Sequence, residues 1–305
     1  MPTLLDVIKL NGSDAAVGLI EEASRAHPEI LLGDARTIGG LNYKTLVRTA
    51  VPTVGFRKAN AGTPVAGSAF EQRMVECFLL NPPFEADKAV ADAYEDGWEA
   101  YLALEAAGIM EGAMQALGTA FFYGTHATFG KTDAFPGLLQ AHDSTNMVVD
   151  ASGSTDNVAS SVFGVRFAPQ HVRWVLGEGG RVDTSDVVEV RLTDGSGNPY
   201  MAYHTELYMR PGVQVGSVYS VGRIKKLTTD SGKGLTDALI AELLSKFPPG
   251  VRPDVLFMSQ RSQFQLRASR TATNATGAPA PIPEESFGVP IAVTESIVNI
   301  ETLAL

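Results

Sequence analysis

Leu117-Gly118-Thr119-Ala120-Phe121-Phe122-Tyr123-Gly124-Thr125, followed shortly by Phe135-Pro136-Gly137-Leu138-Leu139, is the stretch on which the reading of this chain turns. Its first part closes a long helical pattern and its second part is a turn. Upstream, Val90, Tyr94, Trp98, Leu102, Ala106, Ile109, Ala113 and Leu117 recur at three- and four-residue spacing. Asp92, Glu95, Asp96, Glu99, Glu105 and Glu111 mostly fill the positions between them. The pattern predicts a helix from about Ala86 to Phe121. At ~1.5 Å per residue, roughly 30 residues make a strut about 45 Å long. Gly97, Gly108, Gly112 and Gly118 weaken it and allow bending or close approach of another backbone. Trp98 and Tyr101 read as packing residues, and the acidic side chains as a face turned to water or to a basic neighbour.

Toward the N-terminus, Thr3 and Ser13 can cap two short helical patterns, the second running to about Ala26. Glu29-Ile30-Leu31-Leu32-Gly33 is a short apolar segment. From there to about Gly67 the text is rich in Thr, Gly and Pro, with Val47, Val51, Val54 and Phe56 in extended context. Arg57 to Pro64 reads as a loop tip. A second apolar run, Met74 to Leu80, can pair back on the first. The prediction is a long β-hairpin projecting from a body, ended by Pro82-Pro83. Toward the C-terminus, Met147 to Leu227 is β-rich. The runs are Val158–Phe167, His171–Leu176, Val187–Leu192, Tyr200–Met209 and Tyr219–Leu227, with Gly and Asp turns between them. Thr236 to Phe247 reads as a helix stopped by Pro248-Pro249-Gly250. Val255–Met258 reads as a buried strand, Ser259 as the cap of a following helix, and Phe287–Ile297 as a final strand.

The 305 residues are 45% hydrophobic and 19% charged, a globular composition with ample material for a core. Lys and Arg number 24 against 34 Asp and Glu, a balance of −10. An acidic chain without a basic tail is a poor non-specific DNA binder. No apolar run approaches the ~20 residues of a spanning helix, and no secretory signal is expected from Met1 to Asp6. The single cysteine, Cys77, sits among apolar neighbours and reads as a buried small hydrophobe in a reducing compartment. Ser231-Gly232-Lys233-Gly234 lacks the Ser or Thr and the earlier Gly of a phosphate loop. Gly177-Glu178-Gly179-Gly180 leads into a β-like run, so no helix N-terminus would face a phosphate. The five histidines have no helical zinc spacing, and His204-Thr205-Glu206 reads as a half-exposed strand face. No catalytic, cofactor-binding or metal-binding residue is expected.

Order and local text together resemble the tailed-bacteriophage major capsid proteins, whose fold is shared with encapsulin shells and the herpesvirus capsid floor domain. The Leu117–Thr125 passage with Phe135-Pro136-Gly137-Leu138-Leu139 is similar to the family's "helix, Tyr-Gly-Asn, Phe-x-Gly-Leu" passage, with Thr125 in place of Asn. Val172 to Gly180 resembles its "strand, Pro-Lys-Gly" stretch without that Pro and Lys. Val213-Gln214-Val215 to Arg223-Ile224 resembles the next strand segment. Pro253-Asp254-Val255-Leu256-Phe257-Met258-Ser259 is similar to the strand leading into an Arg-rich helix, and Phe287–Ile291 with Thr294–Ile297 to the closing strand. The matches span about Leu117 to Ile297.

The resemblance implies an α+β capsid fold. It comprises an N-terminal arm (1–40), an extended hairpin loop (41–80), a peripheral domain (81–146 and 286–305) with a spine helix at about 86–121, and a β-rich axial domain (147–285). It implies a structural shell subunit of the virion, assembled in the bacterial host cytoplasm from pentamers and hexamers around double-stranded DNA, with no enzymatic activity. The partners implied are other copies of the chain, a separate scaffolding protein (the arm being short), a portal, a decoration or cement protein, and DNA through non-specific contact; no membrane is involved. Contact candidates between subunits are Phe56, Arg57, Lys58 and Asn60 at the hairpin tip and Glu95 and Glu99 on the spine. Some relatives crosslink a hairpin lysine to a neighbour; here Lys44 or Lys58 would be the nucleophile and Glu295 or Glu301 the base, and no motif pins them. The alternatives are an encapsulin-like compartment, a soluble enzyme with a site built from distant residues, and a small-molecule binding module.

Overall fold

A six-stranded mixed sheet forms the centre of the molecule. In spatial order its strands are Glu285–Ser286, Val289–Val293, Val255–Met258, Ser160–Val165, Val221–Leu227 and Val148–Asp150. The computed structural model describes residues 25–305 apart from 64, 142, 143, 145, 181, 182 and 275–277. The two helical patterns expected before residue 25 lie outside the described residues. Ser160–Val165 is buried along its whole length, as a strand covered on both faces must be. Successive side chains divide between two cores. Val162, Ile224, Leu256 and Met258 meet Ile240 and Leu243 of the helix Asp237–Ser245 and Leu266 of the helix Gln260–Ala272. Phe163, Val165 and Phe257 meet Leu117, Phe121 and Phe122 of the long helix on the other side. Both shorter helices start on side-chain caps: Thr236 accepts from the Leu239 amide, and Ser259, the expected cap, from the Ser262 amide.

The long helix runs Trp98–Tyr123, not from Ala86. Pro83–Asp87 is a strand, Asp87 caps a single helical turn at Lys88–Ala91, and the chain then turns through Gly97 at φ 93°. That left-handed backbone cannot lie inside an α-helix. The three- and four-residue spacing persists across the break because Val90, Tyr101 and Leu102 all pack in one cluster with Phe84 and Tyr203. Trp98 stacks on Tyr203 with ring centroids 4.8 Å apart.

The quoted passage closes on itself. A Cβ on Gly137 would lie 2.4 Å from the Ala120 carbonyl oxygen and 2.5 Å from the Gly124 nitrogen, so the turn touches the helix end backbone to backbone. Gly118 makes room for the Glu29 carboxyl and the Ser296 hydroxyl. Glu29–Gly33, read as an apolar segment, includes most of a one-turn helix, Pro28–Leu31, with Glu29 fully buried and Leu31 exposed.

The strands Val172–Leu176, Asp183–Thr184, Val188–Thr193, Pro199–Tyr208 and Pro211–Val215, assigned by sequence to the axial unit, form two further sheets. Val172–Leu176 lies between Ala35–Thr37 and Pro211–Val215 in a three-stranded sheet. Pro199–Tyr208 joins Pro83–Asp87 on one side and Val188–Thr193 with Asp183–Thr184 on the other. These sheets cover the long helix through Trp174, Tyr203, Leu207 and Met209. The β-rich text was read correctly as strands, but strand text does not state which sheet a strand joins.

Two carboxylates tie the helical face of the central sheet together. Asp237 is held below the ordinary carboxylate range by a bidentate pair with Arg270, at 2.7 and 2.8 Å, and by the Ser286 hydroxyl. Asp230 is held well below it by the Thr155 hydroxyl, the Ser154 amide and the Thr228 hydroxyl. A depressed folded pKa contributes stability that is fully present above the unfolded value, about pH 4, and is lost as pH falls below it. Urea midpoints are therefore expected to hold from pH 7 to 5 and to drop below pH 4. Asp237→Asn should lower the pH 7 midpoint and flatten the drop; an unchanged acid limb in that variant would refute the assignment.

Candidate interaction surface

Asn42–Ala50 and Ala69–Glu76 pair antiparallel, from Asn42 opposite Glu76 to Arg48 opposite Phe70, with a register shift before Ala50. A lone two-stranded ribbon has little to bury, and most residues of this one are exposed, with Tyr43, Thr45, Val47 and Arg73 half-buried and Val75 buried. Its root is held by backbone hydrogen bonds to the body. The Cys77 amide donates to the Leu41 carbonyl at 2.8 Å and the Phe78 amide to the Pro211 carbonyl at 2.8 Å. Leu80 and Met209 exchange amide–carbonyl bonds at 2.9 and 3.1 Å. The Tyr43 hydroxyl donates to Gln214 Oε1, and burial raises the pKa of that phenol. Gly212 lets the root approach: a Cβ there would sit 2.5 Å from the Glu76 carbonyl oxygen. Cys77 is half-buried at this root rather than buried, with burial raising its thiol pKa.

Beyond residue 50 the chain leaves the ladder and carries its apolar side chains into solvent. Phe56 is 110% exposed relative to a reference residue, Val65 102% and Val54 88%. Arg57, Lys58 and Asn60 share this tip with Phe56, all exposed, with Asn60 at φ 63° and Arg57 Nη1 donating to the Ala61 carbonyl at 3.4 Å. Four of the six contact candidates thus lie in one loop. Glu95 and Glu99 lie apart from it, in the turn before the long helix and in that helix's first turn, both exposed. Beside the root is an apolar cavity of about 360 Å³ lined by Phe78, Leu80, Leu117 and Phe135, with Lys131 and Asp133 at its rim.

The crosslink candidates separate. Lys44 and Lys58 are exposed on the hairpin, and Glu295 is exposed and paired with Arg25 at 3.3 Å. Glu301 is engaged in a buried network of its own chain. It is 1% exposed and accepts from Tyr123 Oη at 2.6 Å, Ser161 Oγ at 2.7 Å and Arg223 Nη2 at 3.3 Å. Arg223, 2% exposed, also donates to Ser161 Oγ and to the Leu305 carbonyl, both at 3.0 Å. Sequence reasoning missed this network. The one signal was a charged residue inside each of two apolar runs. His204 lies between Glu85 at 3.3 Å and Glu206 at 3.2 Å, on opposite sides of its ring. Among the described residues no group of His, Cys, Asp and Glu is placed to hold a metal ion, and no helix is long and apolar enough to cross a membrane.

A family model described as major capsid protein GP7 matches residues 20–278. Among solved structures, a chain of the bacteriophage Epsilon15 particle is similar with a TM-score of 0.70 at 18% identity, covering 99% of this chain and 97% of that one. A chain of the SrpI encapsulin complex from Synechococcus elongatus PCC 7942 gives 0.49 at 7% identity, covering 75% and 97%. A chain from Mycobacterium phage Cain gives 0.47 at 13% identity, covering 73% and 98%. No curated protein matches the sequence. The Epsilon15 likeness shows a common fold over the full length.

Proposed function

Because this chain belongs to the GP7 family of major capsid proteins, we propose that it closes as hexamers and pentamers into the icosahedral shell of a tailed bacteriophage, around double-stranded DNA. One observation carries the mode of assembly: the hairpin exposes Phe56, Val54 and Val65 where its own fold cannot cover them. Exposed apolar surface of this kind marks a contact with another molecule. In this reading the tip lies over a neighbouring copy, with Arg57, Lys58 and Asn60 meeting polar groups there and Glu95 and Glu99 offering negative charge to a basic surface. A tip that engages the next copy is a head-to-tail contact, which closes rings. The hairpin is the extended loop and Trp98–Tyr123 the spine of the peripheral part. The central sheet with helices Asp237–Ser245 and Gln260–Ala272 is the axial part. Residues 172–215 go with the spine, on which they pack. A separate scaffolding protein directs closure, and a portal and a decoration protein complete the particle in the host cytoplasm.

Negative-stain electron microscopy of the purified protein, alone and with its scaffolding protein, tests this directly. Closed particles, or free hexamers and pentamers, are expected with scaffold. A uniform small oligomer under both conditions would overturn the assembly reading. Closed shells from this chain alone would overturn the need for a scaffold.

A further inference from the structure

Val188–Thr193 has one open edge. Along one side it pairs with Pro199–Tyr208, from Val188 opposite His204 to Thr193 opposite Pro199. Among the described residues no strand pairs its other side. The far edge of the same sheet is protected: Pro83, which lacks an N–H, opens the strand Pro83–Asp87, and the Lys88–Ala91 turn follows directly. Val188–Thr193 has no proline, and Val187 and Val188 are both exposed. A free row of N–H and C=O groups is a template for another strand.

The sequence of the edge states which strand it fits. Laid antiparallel on a second copy about Val190, residue 189 falls opposite 191 and residue 188 opposite 192. Glu189 then faces Arg191 twice, Val188 faces Leu192 twice, and Val190 faces Val190. Opposite charges and apolar pairs directly across a ladder are the stabilising combinations. A slip by one residue, with the axis between 190 and 191, sets Val190 against Arg191 and Glu189 against Leu192 and loses all of them. Within its own chain Arg191 stands opposite Met201, and Glu189 takes Lys88 Nζ at 2.5 Å.

We propose that Val188–Thr193 is a twofold contact between copies of this chain, antiparallel and centred on Val190, which joins their two sheets into one. It goes beyond the ring-closing contact of the hairpin, because an isologous contact relates copies in pairs. That it joins one ring to another rests on the capsid reading; the pairing itself does not.

The test is Val190→Cys in a full-length Cys77→Ser chain under oxidised glutathione. Directly opposed Cα atoms in an antiparallel pair lie about 4.5–5.5 Å apart, within the ~4.4–6.8 Å a disulfide spans. Residue 189 lies about 8 Å from its own mate in this register, out of range. Val190→Cys should give disulfide dimers at least tenfold faster than Glu189→Cys. Adding Glu189→Arg should slow this several-fold, and adding Arg191→Glu as well should restore it. If circular dichroism shows that Val190→Cys does not fold, Val188→Cys with Leu192→Cys places thiols opposite each other across the same axis. Absence of dimers, equal rates for positions 190 and 189, crosslinking only to a different protein, or indifference to the charge exchange each overturn the contact. Microscopy of the same samples with the scaffolding protein added separates the two readings. Dimers without shells refute shell assembly and leave the contact; shells without dimers do the reverse.

Discussion

Glu301→Ala is expected to lower unfolding free energy by about 3–5 kcal/mol, the scale for removing one partner of a buried ion pair. The carboxylate is the acceptor for three donors that have no water to turn to: Tyr123 Oη, Ser161 Oγ and Arg223 Nη2. Its removal leaves a guanidinium that is 2% exposed without a counter-charge. Burial already lowers the Arg223 pKa, and Glu301 opposes that shift. Glu301→Gln should cost less, about 2 kcal/mol, because the amide oxygen still accepts. Arg223→Met with Glu301→Leu should recover most of the loss, since an apolar pair of similar volume carries no desolvation penalty. Urea denaturation of the four chains decides the matter. A Glu301→Ala cost below about 1 kcal/mol would show that the pair is not what holds residues 297–305 in the core.

Phe56→Asp is expected to block assembly while leaving the subunit folded. Burying a phenylalanine is worth about 2 kcal/mol, and an aspartate in its place adds the cost of a buried charge. One such contact per subunit raises the threshold concentration for particle formation by a factor of roughly 30 for about 2 kcal/mol, before that charge is counted. Light scattering against protein concentration measures the threshold. Circular dichroism should be unchanged, because the side chain touches nothing in its own fold. A threshold equal to the parent's would remove the hairpin tip from the contact. Glu99→Ala, an exposed charge at the opposite kind of surface, should change the threshold only a few-fold and in a salt-dependent way.

Local patterns made most elements legible. Val255–Met258 is all apolar and is found where it was read; the cap Ser259 follows from side-chain chemistry alone. The hairpin is visible because a Thr-, Gly- and Pro-rich tip between two β-prone runs admits little else. What failed was of two kinds. The break at Gly97 was hidden because the apolar spacing continues through it, and periodicity measures facing, not continuity. The joining of sheets was hidden because Pro199–Tyr208 pairs with Pro83–Asp87, more than a hundred residues away along the chain. Glu301 and Arg223 were illegible for the same reason. Each sits in apolar text, and only the fold reveals that one answers the other. Of the contact candidates, the exposure of the tip residues was legible because exposure is what a Gly- and Pro-rich loop predicts. The edge at Val188–Thr193 was read as a strand, but an edge is a property of a sheet and not of a sequence.

The Arg223–Glu301 pair also sets a clock on biosynthesis. The guanidinium leaves the ribosome 78 residues ahead of its counter-ion, about 4–16 s at ordinary elongation rates. Through that interval Arg223 has no counter-ion, and the strands Val255–Met258 and Val289–Val293 that complete the central sheet are themselves still being made. A polypeptide cut short before Glu301 keeps a buried guanidinium without that counter-charge.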